Sequence, residues 1–320
     1  MRRTGADLVD GVLVLDKPVG LSSNLALQKA RRLLQARKAG HTGTLDPLAS
    51  GLLPLTFGEA TKFSADLLEA DKEYEAQLEL GLVTSTGDAE GEVLARRAVD
   101  VTRARLEEVL ARFVGESQQV PPMHSALKRN GRPLYELARA GGEVARTPRP
   151  IVVARLTLAS WDERRPVLSV ACSKGTYVRV LAQDIGEALG CGAHLAALRR
   201  TRVGPLLLAQ ATTLTQLEGQ ALAERRARLL PIDALLASLP RVVLDTQAAA
   251  RLGHGQSVRW LDPGVREAPR VRVYDARGRL LGVARCRDGW LTATRLVATA
   301  AATADPVKNF AEERRIEEAT

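Results

Sequence analysis

Gly40-His41-Thr42-Gly43-Thr44-Leu45-Asp46-Pro47-Leu48-Ala49-Ser50-Gly51 sets one carboxylate among three glycines, two threonines and a proline. Glycine lets the backbone take positive φ and lets a ligand come close. Pro47 forces Asp46 out of the helical region and stiffens the turn. The stretch predicts a loop that holds Asp46 at a fixed place. Taken alone, an Asp-Pro pair reads more simply as an Asx-capped turn, so the flanking segments have to decide.

Upstream, Gly11-Val12-Leu13-Val14-Leu15-Asp16 predicts a short buried strand that enters a Lys17-Pro18-Val19-Gly20 turn. Ser22 or Ser23 can cap a following helix. Its apolar residues Leu25, Leu27, Leu33 and Leu34 alternate with Gln28, Lys29, Arg31, Arg32, Arg37 and Lys38, giving a core face and a basic face. Downstream, Lys72 to Leu82 alternates as a strand with Tyr74, Ala76, Leu78 and Leu80 on one face. Residues 81–91 are a polar, glycine-rich loop. Thr102 caps an amphipathic helix reaching Phe113.

Residues 118–150 lose all periodicity and carry Lys128, Arg129, Arg132, Arg139, Arg146 and Arg149, the pattern of a functional insertion. Residues 151–160 and 166–172 predict paired strands, and Tyr177 to Leu189 a helix that carries Arg179. Pro231 to Pro240 reads as a linker. Beyond it, two alternating runs around Asp275-Ala276-Arg277-Gly278 predict a hairpin in a small β module. The domains expected are therefore 1–238, with the insertion at 118–150, and 239–300. Residues 301–320 read as a tail without fixed structure.

The chain has 320 residues, 45% of them apolar, which suffices for a substantial core. Forty-six basic residues against 37 acidic give +9, a balance that points to a polyanionic partner, nucleic acid before membrane. Cys172, Cys191 and Cys286 are widely spaced, as are His41, His124, His194 and His254. Neither set has metal-ligand or disulfide spacing, so no metal is expected, and a reducing cytoplasm is. No apolar run is long enough to cross a bilayer.

Lys17-Pro18, Glu59-Ala60-Thr61-Lys62, Lys72-Glu73-Tyr74, Val120 to Lys128, Gly131-Arg132-Pro133-Leu134-Tyr135, Cys172 to Arg179 and Gly192 to Arg200 complete an ordered set around the Asp46 loop. In this order and spacing the chain closely resembles the TruB-type bacterial pseudouridine synthases, which act on the T-loop uridine at tRNA position 55. The likeness covers nearly the whole chain. His124 departs from it, standing where a tyrosine is expected after Pro-Pro-Met.

The resemblance implies an α+β fold: a mixed, mostly antiparallel sheet flanked by helices, an RNA-gripping insertion, and a C-terminal PUA-like β-barrel. It implies that Asp46 is the reacting carboxylate, that Arg179 pairs with it and lowers its pKa, and that Tyr74 lies against the uracil. Leu198 walls the pocket, and His41 fills the stacking position the flipped base leaves. Lys17, Pro18, Lys62, Lys128, Arg199 and Arg200 are the expected RNA-binding residues, several of them on phosphates. The reaction rearranges one nucleotide, so no cofactor is implied. The partner is tRNA, with no protein partner and a monomeric enzyme. Two other readings compete. One is an RNA chaperone that folds tRNA on the same surface. The other is a guide-RNA-dependent synthase of the same fold, against which the long insertion speaks. A metal-dependent nuclease is weaker, because the carboxylates do not cluster in sequence.

Overall fold

Leu13 and Leu15 point to one side of the first strand and Val12 and Val14 to the other, and all four are buried. An unbroken apolar run of this kind belongs in the middle of a layered structure. The computed structural model describes residues 9–298 apart from 126, 130–131, 140–141, 143 and 266; at 128–129, 132–133, 135, 138–139 and 263 it describes the backbone only. The chain divides into two compact units, Met1–Ser238 and Leu239–Thr320.

The larger unit is built on a ten-stranded, mostly antiparallel sheet. Gly11–Lys17 pairs antiparallel with Ala49–Phe57, which in turn runs parallel to Ala193–Val203. Lys72–Leu80 lies between Ala193–Val203 and Val167–Cys172, and Arg149–Ser160 and Gly115–Gln119 complete that side. Tyr74, Ala76, Leu78 and Leu80 are buried on one face as the alternation requires. The helices Ser23–Leu33, Arg103–Ala111 and Val178–Leu189 pack against the sheet core through residues such as Ala26, Leu106 and Ile185. Ser22 and Thr102 cap the first two, their hydroxyls accepting from the Leu25 and Arg105 amides.

Two expectations are corrected. Leu25 is 54% exposed, because the helix buries the stripe Ser23, Ala26, Leu27 and Ala30, and Leu25 falls about 100° off it. Residues 231–240 are not a free linker. Ile232–Leu236 forms a 3-10 turn that packs on Gly58–Phe63 and the first strand, with Leu235 and Leu236 buried. The insertion leaves and returns through one antiparallel pair, Gln119 opposite Arg149. Among its described parts are a two-residue strand pair, Lys128–Arg129 with Arg132–Pro133, and the helix Leu134–Arg139.

The smaller unit is a five-stranded sheet curled as a half-barrel, in the order Arg241–Val243, Val271–Tyr274, Leu280–Arg287, Trp290–Leu296, Val258–Arg259. Val242, Leu252, Val271 and Leu291 form its core. The predicted hairpin is there. Its Asp275 carboxylate accepts from the Arg277 and Arg279 amides and closes the turn. None of the described helices is long and apolar enough to cross a membrane.

Gly51 lies in the Ala49–Phe57 strand just after the Asp46 loop, opposite Arg200. It sits at φ +96°, and a Cβ there would lie 2.3 Å from the Arg200 carbonyl oxygen and 2.8 Å from its amide nitrogen. Both obstacles are backbone, so neither can rotate away. Gly51→Ala is expected to destabilise the larger unit by roughly 2–5 kcal/mol, measured as a shift of the urea midpoint at unchanged m.

Candidate functional site

The Asp46 loop joins Ala39–His41 to Ala49–Phe57 and is tied down at four points. Ser23 Oγ accepts from the Leu45 amide and donates to the Leu45 carbonyl, both at 2.8 Å. The Asp46 carbonyl accepts from Ala49 N at 3.0 Å, and the Pro47 carbonyl from Gly20 N at 2.8 Å. The Gly43 carbonyl accepts from Arg200 Nη2 at 3.0 Å, while Arg200 Nε donates to the Leu52 carbonyl at 2.7 Å. A loop held this way loses little further entropy when a ligand arrives.

Asp46 faces Arg179, which begins the Val178–Leu189 helix. Arg179 Nη2 lies 3.1 Å from Asp46 Oδ2, and Nη1 lies 3.3 Å from Asp88 Oδ2. The same guanidinium donates to the His124 carbonyl at 2.6 Å and the Thr86 carbonyl at 3.4 Å. Arg179 and Asp88 are almost fully enclosed, whereas the Asp46 side chain is 43% exposed. Asp88 is further held by Thr86 Oγ1 and the Glu90 amide. The arrangement leaves one carboxylate open and spends the other on holding the arginine.

Asp46, Tyr74, Arg179, His41, Leu198 and Arg200 line one cavity of about 850 Å³. Tyr74 is 9% exposed, and the Arg200 guanidinium lies near its phenol. Burial pushes that phenol above its ordinary pKa, and Arg200 works against the rise. Burial, then the Arg200 charge, lowers the pKa of His41, so its ring is neutral near pH 7.

The expected RNA-binding residues divide. Arg200 is 1% exposed and Lys17 is fully buried, so neither is presented to a phosphate. Alternation along the Ala193–Val203 strand turns Arg200 inward, where it braces the loop and Tyr74. Lys17 donates to the Pro18 and Leu21 carbonyls at 2.9 and 2.7 Å and closes the turn after the first strand. Burial lowers its pKa to about 8, against the pull of Asp46. Pro18 is exposed on that turn. Arg199 turns outward, paired through both terminal nitrogens with Asp16 at 3.3 and 2.7 Å. Lys62 pairs with Glu59 at 2.5 Å. The side chain of Lys128 lies outside the described residues.

Asp88 was not singled out from the sequence, although its loop was. The Thr86-Gly87-Asp88 turn bends back onto the Arg179 helix so closely that a Cβ on Gly87 would lie 2.7 Å from the Gln183 side chain. That contact is invisible in a linear reading. Lys72, also unassigned, lines the cavity and donates to the Leu68 carbonyl at 2.8 Å and to the Ala70 carbonyl. Burial lowers its pKa to about 8.

Arg179 lowers the Asp46 pKa as expected, but the net shift is upward. Protein surrounds the carboxyl on the sides away from the cavity. The loss of water raises its pKa more than Arg179 lowers it, and Asp88 adds to the rise.

Models of three families match this chain in succession. They are "TruB family pseudouridylate synthase (N terminal domain)" over 31–178, "tRNA pseudouridylate synthase B C-terminal domain" over 179–237, and "Pseudouridine synthase II TruB, C-terminal" over 240–297. A tRNA pseudouridine synthase B from Burkholderia mallei is 61% identical over 92% of this chain and 98% of its own length. One from Dechloromonas aromatica is 60% identical over 88% and 93%. Among solved structures, a chain of a Cbf5-Nop10-Gar1 complex superposes with a TM-score of 0.69 at 28% identity, covering 88% of this chain and 80% of that one. The chain belongs to the TruB family of pseudouridylate synthases.

If the Asp88 charge contributes to the raised pKa of Asp46, Asp88→Asn should move the Asp46 titration to lower pH. The carboxyl carbon shift of labelled protein reads this directly. An unchanged or raised midpoint would mean that the Asp88 charge does not reach Asp46.

Proposed function

We propose that this chain isomerises uridine to pseudouridine in tRNA, at position 55 of the T-loop, with Asp46 as the reacting carboxylate. One observation carries the residue assignment. Of the two carboxylates that pair with the cavity's arginine, Asp46 stays open while Asp88 is closed off and fixes the arginine. The reaction breaks the N1–C1′ bond, turns the base and forms C5–C1′; N1 gains a proton and C5 loses one. A carboxylate that attacks the nucleotide or takes that proton must be ionised and must not wander, and Arg179 serves both needs.

The target base leaves its stack to enter the cavity, at a cost of a few kcal/mol that pocket contacts offset. Tyr74 lies against the uracil and Leu198 closes the far side, so the detached base stays in place. His41 takes the stacking position left in the RNA. Phosphate contacts fall to Lys128 and the arginines of the insertion, of which Arg149 is exposed. Lys62 and Arg199 reach RNA only by exchanging Glu59 and Asp16 for phosphate. Recognition then rests on loop shape and splayed bases. Relatives named tRNA pseudouridine synthase B match at 61% identity over nearly their whole length, against 28% for the Cbf5 chain, which favours a stand-alone enzyme over a guided one. The reading carries with it a monomeric, cytoplasmic enzyme without a cofactor.

Incubation with an unmodified tRNA transcript, followed by carbodiimide mapping, tests the proposal. One new stop in the T-loop is expected, lost by at least about 10³-fold in rate with Asp46→Asn. Near-normal turnover of that variant would overturn the assignment of Asp46. Tight tRNA binding by the wild type with no stop would favour the chaperone reading, and a stop that requires a small RNA would favour the guided one.

A further inference from the structure

The smaller unit carries an exposed row of side chains that none of the chemistry above uses. Asp288 and Gly289 join Leu280–Arg287 to Trp290–Leu296 with φ of +52° and +72°. Positive φ at both positions is the two-residue type I′ hairpin turn, which fixes the register of the strands it joins. Arg287 is therefore opposite Trp290, and on the other side Trp290 is opposite Arg259. Cross-strand partners share a face, so Arg259, Trp290 and Arg287 form one row across three strands. The next row on that face holds Arg285 opposite Thr292, and Thr292 Oγ1 lies 2.9 Å from Ser257 Oγ. The residues between these rows, Val258, Cys286 and Leu291, point the other way into the core.

The row is exposed. Trp290 is 42% exposed, and Arg285 and Arg287 are exposed as well. The Arg259 guanidinium stacks over the indole, 5.2 Å from its centroid. A second stacked pair among the described residues, Arg241 on Tyr274, covers a ring only 4% exposed and is closed to any ligand. Two acidic groups stand close to Trp290: Asp288, paired with Arg287 at 3.7 Å with both side chains in water, a pair of little strength, and Glu267, whose carboxylate accepts from the Asp288 amide at 3.0 Å. An exposed tryptophan forgoes the burial that usually stabilises it. Framed by three guanidiniums, it has the makeup of a platform on which a nucleobase stacks while arginines meet the phosphates.

We propose that the Arg259-Trp290-Arg287 row is a stacking site for an unpaired nucleotide of the RNA substrate, outside the T-loop. The proposal rests on the tRNA reading for the source of the nucleotide, and on the row itself for the site. It assigns the smaller unit a single-strand contact that adds affinity without touching the reacting base.

The test uses the full chain as wild type, Trp290→Ala, Trp290→Phe and the double variant Arg285→Gln/Arg287→Gln. Two quantities are measured: binding of labelled single-stranded oligoadenylate, and single-turnover conversion of a T-arm hairpin that has no single-stranded tail. Trp290→Ala should weaken oligoadenylate binding on the order of tenfold, and Trp290→Phe should restore most of it. The double arginine variant should weaken binding and flatten its salt dependence. Hairpin conversion should be unchanged in all three. Oligoadenylate binding by Trp290→Ala equal to wild type would overturn the proposal, and so would a parallel loss of hairpin conversion. Failure of the wild type to convert the hairpin would count against the tRNA reading alone, and the oligoadenylate comparison would still decide the site.

Discussion

Arg179 is enclosed between two carboxylates, Asp46 at 3.1 Å and Asp88 at 3.3 Å, and its terminal nitrogens also donate to two backbone carbonyls. A guanidinium buried without such partners would carry a desolvation cost of several kcal/mol, and removal of one partner from a buried pair typically costs ~3–5 kcal/mol. The parts of the site meet at this group. The Arg179 helix, the Thr86–Asp88 loop, the insertion through His124 and the Asp46 loop all converge on it. The asymmetry of the pair matters for function. Asp88 is closed off by Thr86 and the Glu90 amide and acts as a permanent counterion. Asp46 keeps one side toward the cavity, where it can exchange part of its contact with Arg179 for contact with a nucleotide.

Arg200 is the complementary brace. It is almost wholly buried, yet it bonds the Gly43 and Leu52 carbonyls and stands beside the Tyr74 phenol. One rigid fork of donors thus sets the Asp46 loop and the aromatic wall at a fixed separation, something a lysine's point charge could not do. Gly51, with no room for a Cβ beside the Arg200 backbone, lets the two strands come close enough for this.

Much of this was legible in the chain. The Asp46 loop, the Tyr74 strand and the Arg179 helix announce themselves through glycine and proline placement and period-two alternation, all of which are local. What was not legible depends on distant segments. Whether Arg199 or Arg200 faces water depends on which side of a central strand is covered, and both faces of that strand have neighbours. Lys17 reads as a surface cation until the turn that receives its protons is seen to fold over it. Asp88 lies 42 positions from Asp46 in the chain, and only the return of its loop onto the Arg179 helix makes it a partner. The sign of the Asp46 pKa shift was missed because a sequence names the charged neighbour but not the water lost. Ile232–Leu236 shows the same limit: prolines suggested a linker, and two buried leucines made it part of the core.

The central claim is that Arg179 acts by holding the Asp46 carboxylate in a reacting position, through a planar fork that also reaches Asp88. The most direct measurement is single-turnover pseudouridine formation by Arg179→Lys on a T-arm hairpin, with hairpin affinity measured alongside. Charge is kept and the fork is lost. The account predicts a rate at least about 100-fold lower, with affinity within about threefold of wild type because uniform binding is left in place. A rate within a few fold of wild type would contradict it, since a point charge would then suffice and the geometry of the clamp would be incidental.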